Sequence, residues 1–233
     1  MTLPAIDHAY LLDLLVDLLN IPSPTGMTGR AVDYVEQALV SLEGLQVSRT
    51  RKGAVVAFWP GQRSDAPRAL TAHVDTLGAM VKEIKKSGRV KLTRLGGYIW
   101  NTIEGEGCTI FTEDGREYRG TILLEKASSH VFGQEVKDTE RSDATMEVRI
   151  DARTGSDEET RQLGIQVGDF VALDPRVEAV NGFVRSRHLD DKACVANILA
   201  AVKALLDEGL QPAQDTYLLI SNYEEVGHGA AAG

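Results

Sequence analysis

Three short constellations in this 233-residue sequence combine residue types that can do chemistry. The first is His73-Val74-Asp75, directly after the apolar run from Arg68 to Ala72. Residues two apart on a strand point to the same side. His73 can therefore ligate a cation through one ring nitrogen while Asp75 accepts from the other, as metal-bound imidazoles usually require. The second is Asp190-Asp191, ahead of a helical pattern. Acids there satisfy free N–H groups and the helix dipole, or bridge two cations with one oxygen on each. The third is Glu224-Glu225, after an apolar strand. Neighbouring glutamates repel, so each needs a proton or a cation nearby. One can ligate a metal while the other stays free to take a proton from an attacking water. Taken singly, each pattern has an ordinary explanation: a hydrogen-bonded loop histidine, a helix cap, a solvated strand end. Together they lie at three strand or helix ends, where an α/β sheet usually carries its site. One imidazole, several carboxylates and no thiolate suit Zn²⁺, Co²⁺ or Mn²⁺ rather than a structural zinc site.

The elements that must carry these residues fall into three textures. Residues 5–76 read as α/β. Ile6 to Leu19 and residues 28–42 place apolar residues at helical spacing. Between them Ile21-Pro-Ser-Pro-Thr-Gly26 is a loop, punctuated by two prolines and a glycine. Residues 53–59 and 68–72 are short apolar strands of the kind buried on both faces. Residues 78 to about 178 lose the helical period. Val, Ile, Thr and Tyr alternate with charges there, and Thr109 to Leu123 turns at Asp114-Gly115, a hairpin signature. A compact all-β module inserted into the α/β domain is expected, with a short helix near 157–163. From about 183 the α/β texture returns. Lys192 to Leu210 predicts a helix with Val195, Ile198, Leu199, Val202 and Leu205 as its buried face, ended by Gly209. Asp215 to Glu225 predicts a buried strand that ends in the two glutamates. The small-residue run after it normally opens another helix, so the α/β domain is expected to continue beyond Gly233.

Composition excludes several classes. Lys plus Arg is 25 and Asp plus Glu 34, so the net charge is 25 − 34 = −9. An acidic chain is a poor partner for nucleic acid, which needs cations facing phosphates. The exception is Lys82 to Arg94, six positive residues and one negative, which reads as a solvated strand face turning at Ser87-Gly88. Cys108 and Cys194 form no paired spacing, which fits a reducing, cytoplasmic setting rather than a disulfide-built secreted fold. The N-terminus lacks a basic n-region, and no run of about 18 uncharged apolar residues predicts a membrane span.

At the chemistry-bearing residues the sequence resembles the glutamyl aminopeptidase and tetrahedral aminopeptidase family of co-catalytic metallopeptidases. Ile21 to Gly26 resembles the family's early loop. Thr71 to Val81 matches its His-x-Asp strand end. Leu163 to Pro175 resembles the end of its inserted domain. His188 to Leu199 matches its Leu-Asp-Asp helix start, and Ser221 to Gly227 its double-glutamate strand end. The resemblance covers essentially the whole chain. It implies a mixed sheet flanked by helices and a PDZ-like β barrel. The corresponding boundaries are a catalytic α/β domain at 1–77 and 179–233, and an inserted domain at 78–178 that serves oligomerisation. It implies two divalent ions, Zn or Co, with His73 on one, Asp190 bridging, Glu225 on the other, Asp75 orienting His73, and Glu224 as general base. It implies peptide substrates shortened from the N-terminus, and dimers that build hollow dodecamers.

The family supplies two further ligands, an aspartate and a histidine, after its double glutamate; both are expected beyond Gly233, and the 233 residues alone are expected to be inactive. Lys192 stands where the family often has arginine. His228 lies near the double glutamate but is not expected to be recruited as a ligand, and His8, His130 and His188 match no motif and are expected to be surface or packing residues. Two other readings stay open: hydrolysis of N-acyl amino acids or one dedicated small peptide at the same site, and a catalytically incompetent assembly or binding protein on the same fold.

Overall fold

The computed structural model describes residues 3–229; the small-residue run from 230 onward lies outside them. The chain divides into two compact units, Met1–Thr76 with Pro175–Gly233, and Leu77–Asp174.

The first unit is α/β. Helix α1 (His8–Asn20) starts where the Asp7 carboxylate accepts from the Tyr10 N–H, and it buries Leu14, Leu15, Leu18 and Leu19 on one stripe. It stops at Ile21 because Pro22 disfavours helical backbone before it. Helix α2 (Gly29–Val40) buries Ala31, Val32, Val35 and Leu39. Strands β1 (Gln46–Arg49), β2 (Val55–Trp59) and β3 (Arg68–His73) follow. After the second unit come a hairpin, β10 (Glu178–Val180) and β11 (Phe183–Arg185), then α6 (Leu189–Asp207) and β12 (Thr216–Ser221). Gly209, at φ +66°, takes the left-handed turn after α6.

The four-stranded sheet runs β1-β2-β12-β3. Strand β12 is antiparallel to β2 and parallel to β3, with Ser221 opposite His73. The sheet is therefore mixed, and β3 and β12 end side by side. Val55, Ala57, Trp59, Ala72, Leu218 and Ile220 share one buried core with α1, α2 and α6. Strands β2 and β3 are not buried on both faces as their composition predicts. Along β2, buried and half-buried residues alternate, and Arg68 to Thr71 of β3 are exposed. On the other face Phe58 and Tyr217 pack as a tilted pair, 5.0 Å between ring centres.

The second unit is a closed barrel of six strands. They are β4 (Gly78–Ile84), β5 (Val90–Leu95), β6 (Gly107–Phe111), β7 (Glu117–Leu124), β8 (Met146–Ile150) and β9 (Phe170–Leu173). Their order around the barrel is β4-β5-β8-β7-β6-β9. Short helices α3 (Ser129–Phe132) and α4 (Glu135–Asp138) follow β7, and α5 (Asp157–Gln162) follows β8. Alternation sends Val81, Val90, Leu92, Ile110, Ile122 and Val148 inward. The basic run from Lys82 is not merely a solvated face. Glu147 is buried, and Lys85 and Arg89 pair with it at 2.7 and 2.6 Å. Among the described residues no helix is long and apolar enough to cross a membrane.

Candidate functional site

The parallel pairing of β3 with β12 brings His73 beside Ser221, and the Val74 N–H donates to the Ser221 carbonyl at 3.0 Å. The residues following both strands therefore emerge together. His73, the last residue of β3, is buried. Its Nδ1 lies 3.0 Å from the Asp75 carbonyl and 3.3 Å from Asp75 Oδ1. Its Nε2 lies 3.2 Å from Asp190 Oδ1 and 3.5 Å from Glu224 Oε2.

Asp75 is fully buried, and every recorded contact of its carboxylate is a donor. Oδ1 faces His73 and accepts from the Glu224 N–H at 3.1 Å. Oδ2 accepts from Thr25 Oγ1 at 2.8 Å and from the Glu225 N–H at 3.2 Å. The strand expected to end in the glutamates stops earlier, at Ser221. Tyr223 then takes a left-handed conformation, φ 64°, and Glu224–Val226 form one tight 3₁₀ turn. Free N–H groups at the start of such a turn need acceptors, and Asp75 supplies them. The glutamate pair is thus hung on Asp75 by its backbone, which leaves both side chains to other uses.

Asp190 belongs to the start of α6, but its backbone is not helical and its side chain is 87% exposed. It reaches His73 rather than capping α6, the alternative the sequence allows. Asp191, Glu224 and His228 line a pocket of about 240 Å³ together with His73.

Electrostatics bind the cluster together. Burial opposes a charge on His73, yet the hydrogen bond and charge of Asp75, with Glu224 adding to them, hold it up at about 9. Burial would raise the Asp75 carboxyl, but its bonds from His73, Thr25 and the two backbone N–H groups hold it below the ordinary range. Burial, with the charges of Asp190, Asp75 and Glu224, pushes Glu225 up to about 7, against the pull of His73. The proton on His73 faces two carboxylates, a place a divalent cation can take. The donor set, imidazole nitrogen and carboxylate oxygens, fits such an ion. Among the described residues no group of three or more His, Cys, Asp or Glu side chains is placed to hold a metal ion.

The shifts set a sign for metal-free stability. Glu225 and His73 both bind protons more tightly folded than at their ordinary values of 4.5 and 6.5. Their contribution is therefore present at low pH and lost as pH rises, first through about 7 and then through about 9. Asp75 works oppositely, its contribution being lost only as pH falls below 3.8. Lys192, which burial holds down at about 7, works against His73 above that pH, its contribution growing as pH rises. In chelator, the melting temperature should therefore fall between pH 5 and pH 7, where Glu225 loses its proton; a rise over that range would contradict the charge balance described.

Sequence reasoning misses two parts. Thr25 sits in a loop legible only as a loop, and its hydroxyl reaches Asp75. Lys192 is wholly buried, its Nζ donating to the Leu18 and Ile21 carbonyls at 2.9 and 2.7 Å.

A family model described as M42 glutamyl aminopeptidase matches residues 53–233. Putative aminopeptidase YhfE of Bacillus subtilis (strain 168) is 46% identical over 219 residues, covering 94% of this chain and 63% of that protein. Lysyl aminopeptidase of Pyrococcus furiosus is 26% identical over 218 residues, covering 92% and 60%. Among solved structures, aminopeptidase APDkam598 from the archaeon Desulfurococcus kamchatkensis superposes with a TM-score of 0.80 at 27% identity, covering 96% and 59%. The chain spans about three fifths of the length of the relatives it matches.

Proposed function

This chain belongs to the M42 glutamyl aminopeptidase family, and on that premise we propose that its protein removes N-terminal residues from peptides at a centre of two divalent ions, Zn or Co. One observation carries the proposal: His73 Nε2 faces the carboxylates of Asp190 and Glu224 while Asp75 grips the other ring nitrogen. In this reading His73, Asp190 and Glu225 hold the ions, Asp190 between them, and sequence present in the longer relatives supplies the remaining ligands. Divalent ions there supply Lewis acidity to the attacking water and the scissile carbonyl. Asp75 fixes the tautomer of His73. Glu224, half-exposed at the pocket, takes a proton from the attacking water and returns one to the leaving amine.

The small acidic pocket supports exopeptidase action. Asp191 lines it beside Glu224, and a free α-ammonium group would suit the Asp191 carboxylate where an N-acyl group would not, leaving Glu224 to the water. Aminoacyl-nitroanilides should therefore outpace their N-acetyl counterparts by on the order of 10³-fold. Equal rates would favour the N-acyl hydrolase reading instead, and metal-loaded protein inert toward both would favour a binding role. The free cysteines Cys108 and Cys194 support a cytoplasmic place of action. Self-association through the barrel, into dimers or a dodecamer, belongs to the same proposal, and light scattering on the full protein reads it.

A further inference from the structure

Lysine is almost never fully buried unless it is paired, and Lys192 is fully buried. Burial pushes its pKa down to about 7, and its Nζ donates to two carbonyls, Leu18 at the end of α1 and Ile21 just after it. A helix's last carbonyls lack partners within the helix and attract cations. Methionine would fill similar space without the cost of desolvating a charge. The three N–H donors, rather than the bulk, are what distinguishes lysine at this place.

The carbonyls it holds begin the loop that grips the candidate site. Ser23 Oγ donates to the Val74 carbonyl at 2.7 Å. The Thr76 N–H donates to the Ser23 carbonyl at 2.9 Å, and the Thr25 N–H to the Thr76 carbonyl at 3.2 Å. Thr25 Oγ1 then reaches Asp75. Asp75 contacts His73, and His73 contacts Asp190. Asp190 stands two residues before Lys192. The contacts therefore close a circuit from the start of α6, through the loop and the residues after β3, back to the start of α6.

Resting on the metal-centre reading above, we infer that Lys192 is a positioning residue: by clamping the start of α6 to the loop at Ile21–Gly26, it sets where Asp190 stands relative to His73. It touches neither substrate nor metal. Its effect passes through the backbone to Asp190 and through Thr25 to Asp75.

The test compares full-length parent, Lys192→Met and Lys192→Arg, first metal-free and then titrated with Zn²⁺ by calorimetry. Amide hydrogen exchange at Thr25 and Thr76 is followed in parallel. Lys192→Met should weaken zinc binding by about 10- to 100-fold, the range for groups that orient ligands, and speed exchange at both amides. Lys192→Arg, which keeps donors, should recover most of both. A folded Lys192→Met with parental zinc affinity overturns the inference, whether or not the loop exchanges faster. Should that variant not fold, Lys192→Gln is read in the same way. If the parent itself takes up no zinc, the metal-centre reading fails separately, and the exchange data still decide whether Lys192 holds the loop. Faster exchange in the variant supports the clamp, and unchanged exchange overturns it.

Discussion

Full-length protein carrying Glu224→Gln is expected to bind metal like the parent yet hydrolyse aminoacyl-nitroanilides about 10²- to 10⁴-fold more slowly, the usual contribution of a positioned proton acceptor. Glutamine keeps the length and shape of the side chain and loses its capacity to hold a proton. The Glu224 N–H bond to Asp75, which builds the turn, is backbone and survives the change. Fold and ligand geometry should therefore persist while kcat falls. Steady-state kinetics beside a zinc titration separates the two. Parental turnover would remove the proton-accepting role from Glu224, and lost metal binding would make it a ligand instead.

The second large effect is expected at Asp75. The substitution Asp75→Asn is nearly isosteric, but the recorded contacts of the carboxylate are donors on both oxygens. Whichever oxygen becomes the amide nitrogen then points at a backbone N–H, of Glu224 on one side or of Glu225 on the other. A buried donor facing a donor loses its bond and keeps its desolvation cost. His73 loses the negative charge that holds its proton at Nδ1. Breaking a buried charged pair in this way costs about 3–5 kcal/mol, and loss of the group that orients a ligand costs about 10- to 100-fold in metal affinity. Calorimetric melting of the metal-free protein and zinc titration read the two losses. A variant that melts and binds zinc like the parent would mean that Asp75 does not organise the turn.

How much of this could be read in the sequence depends on the range of the physics involved. The spacing of His73 and Asp75 is legible because strand alternation is a local property, and α6 is legible because its apolar period is long and ends at Gly209. The textures mark an α/β part and an all-β part, whereas the mixed sheet and the barrel are legible only through the family resemblance. The turn at Glu224-Glu225 is not legible. Nothing in Ser221 to Tyr223 marks a left-handed residue, since neither glycine nor asparagine stands at 223, and the turn exists because Asp75, far away in sequence, accepts its N–H groups. Thr25 is invisible for the same reason. Lys192 reads as an ordinary polar position on a helix, because burial of its charge depends on where α1 ends. The exposed stretch of β3 contradicts its apolar composition, which reports what a strand can bury rather than what packs on it. The hairpin at β10 and β11 is marked by its turn, Asn181-Gly182 at φ 52° and 80°, rather than by alternation, its strands being three residues each.

Anomalous diffraction from crystals of active, zinc-loaded full-length protein tests the metal centre most directly. Zinc should lie about 2.0–2.2 Å from His73 Nε2 and from an oxygen of Asp190, the ordinary coordination distances, with the Glu225 carboxylate on a second ion. Zinc bound elsewhere in active crystals, with His73 Nε2 still turned to Asp190 by a direct hydrogen bond, would contradict it.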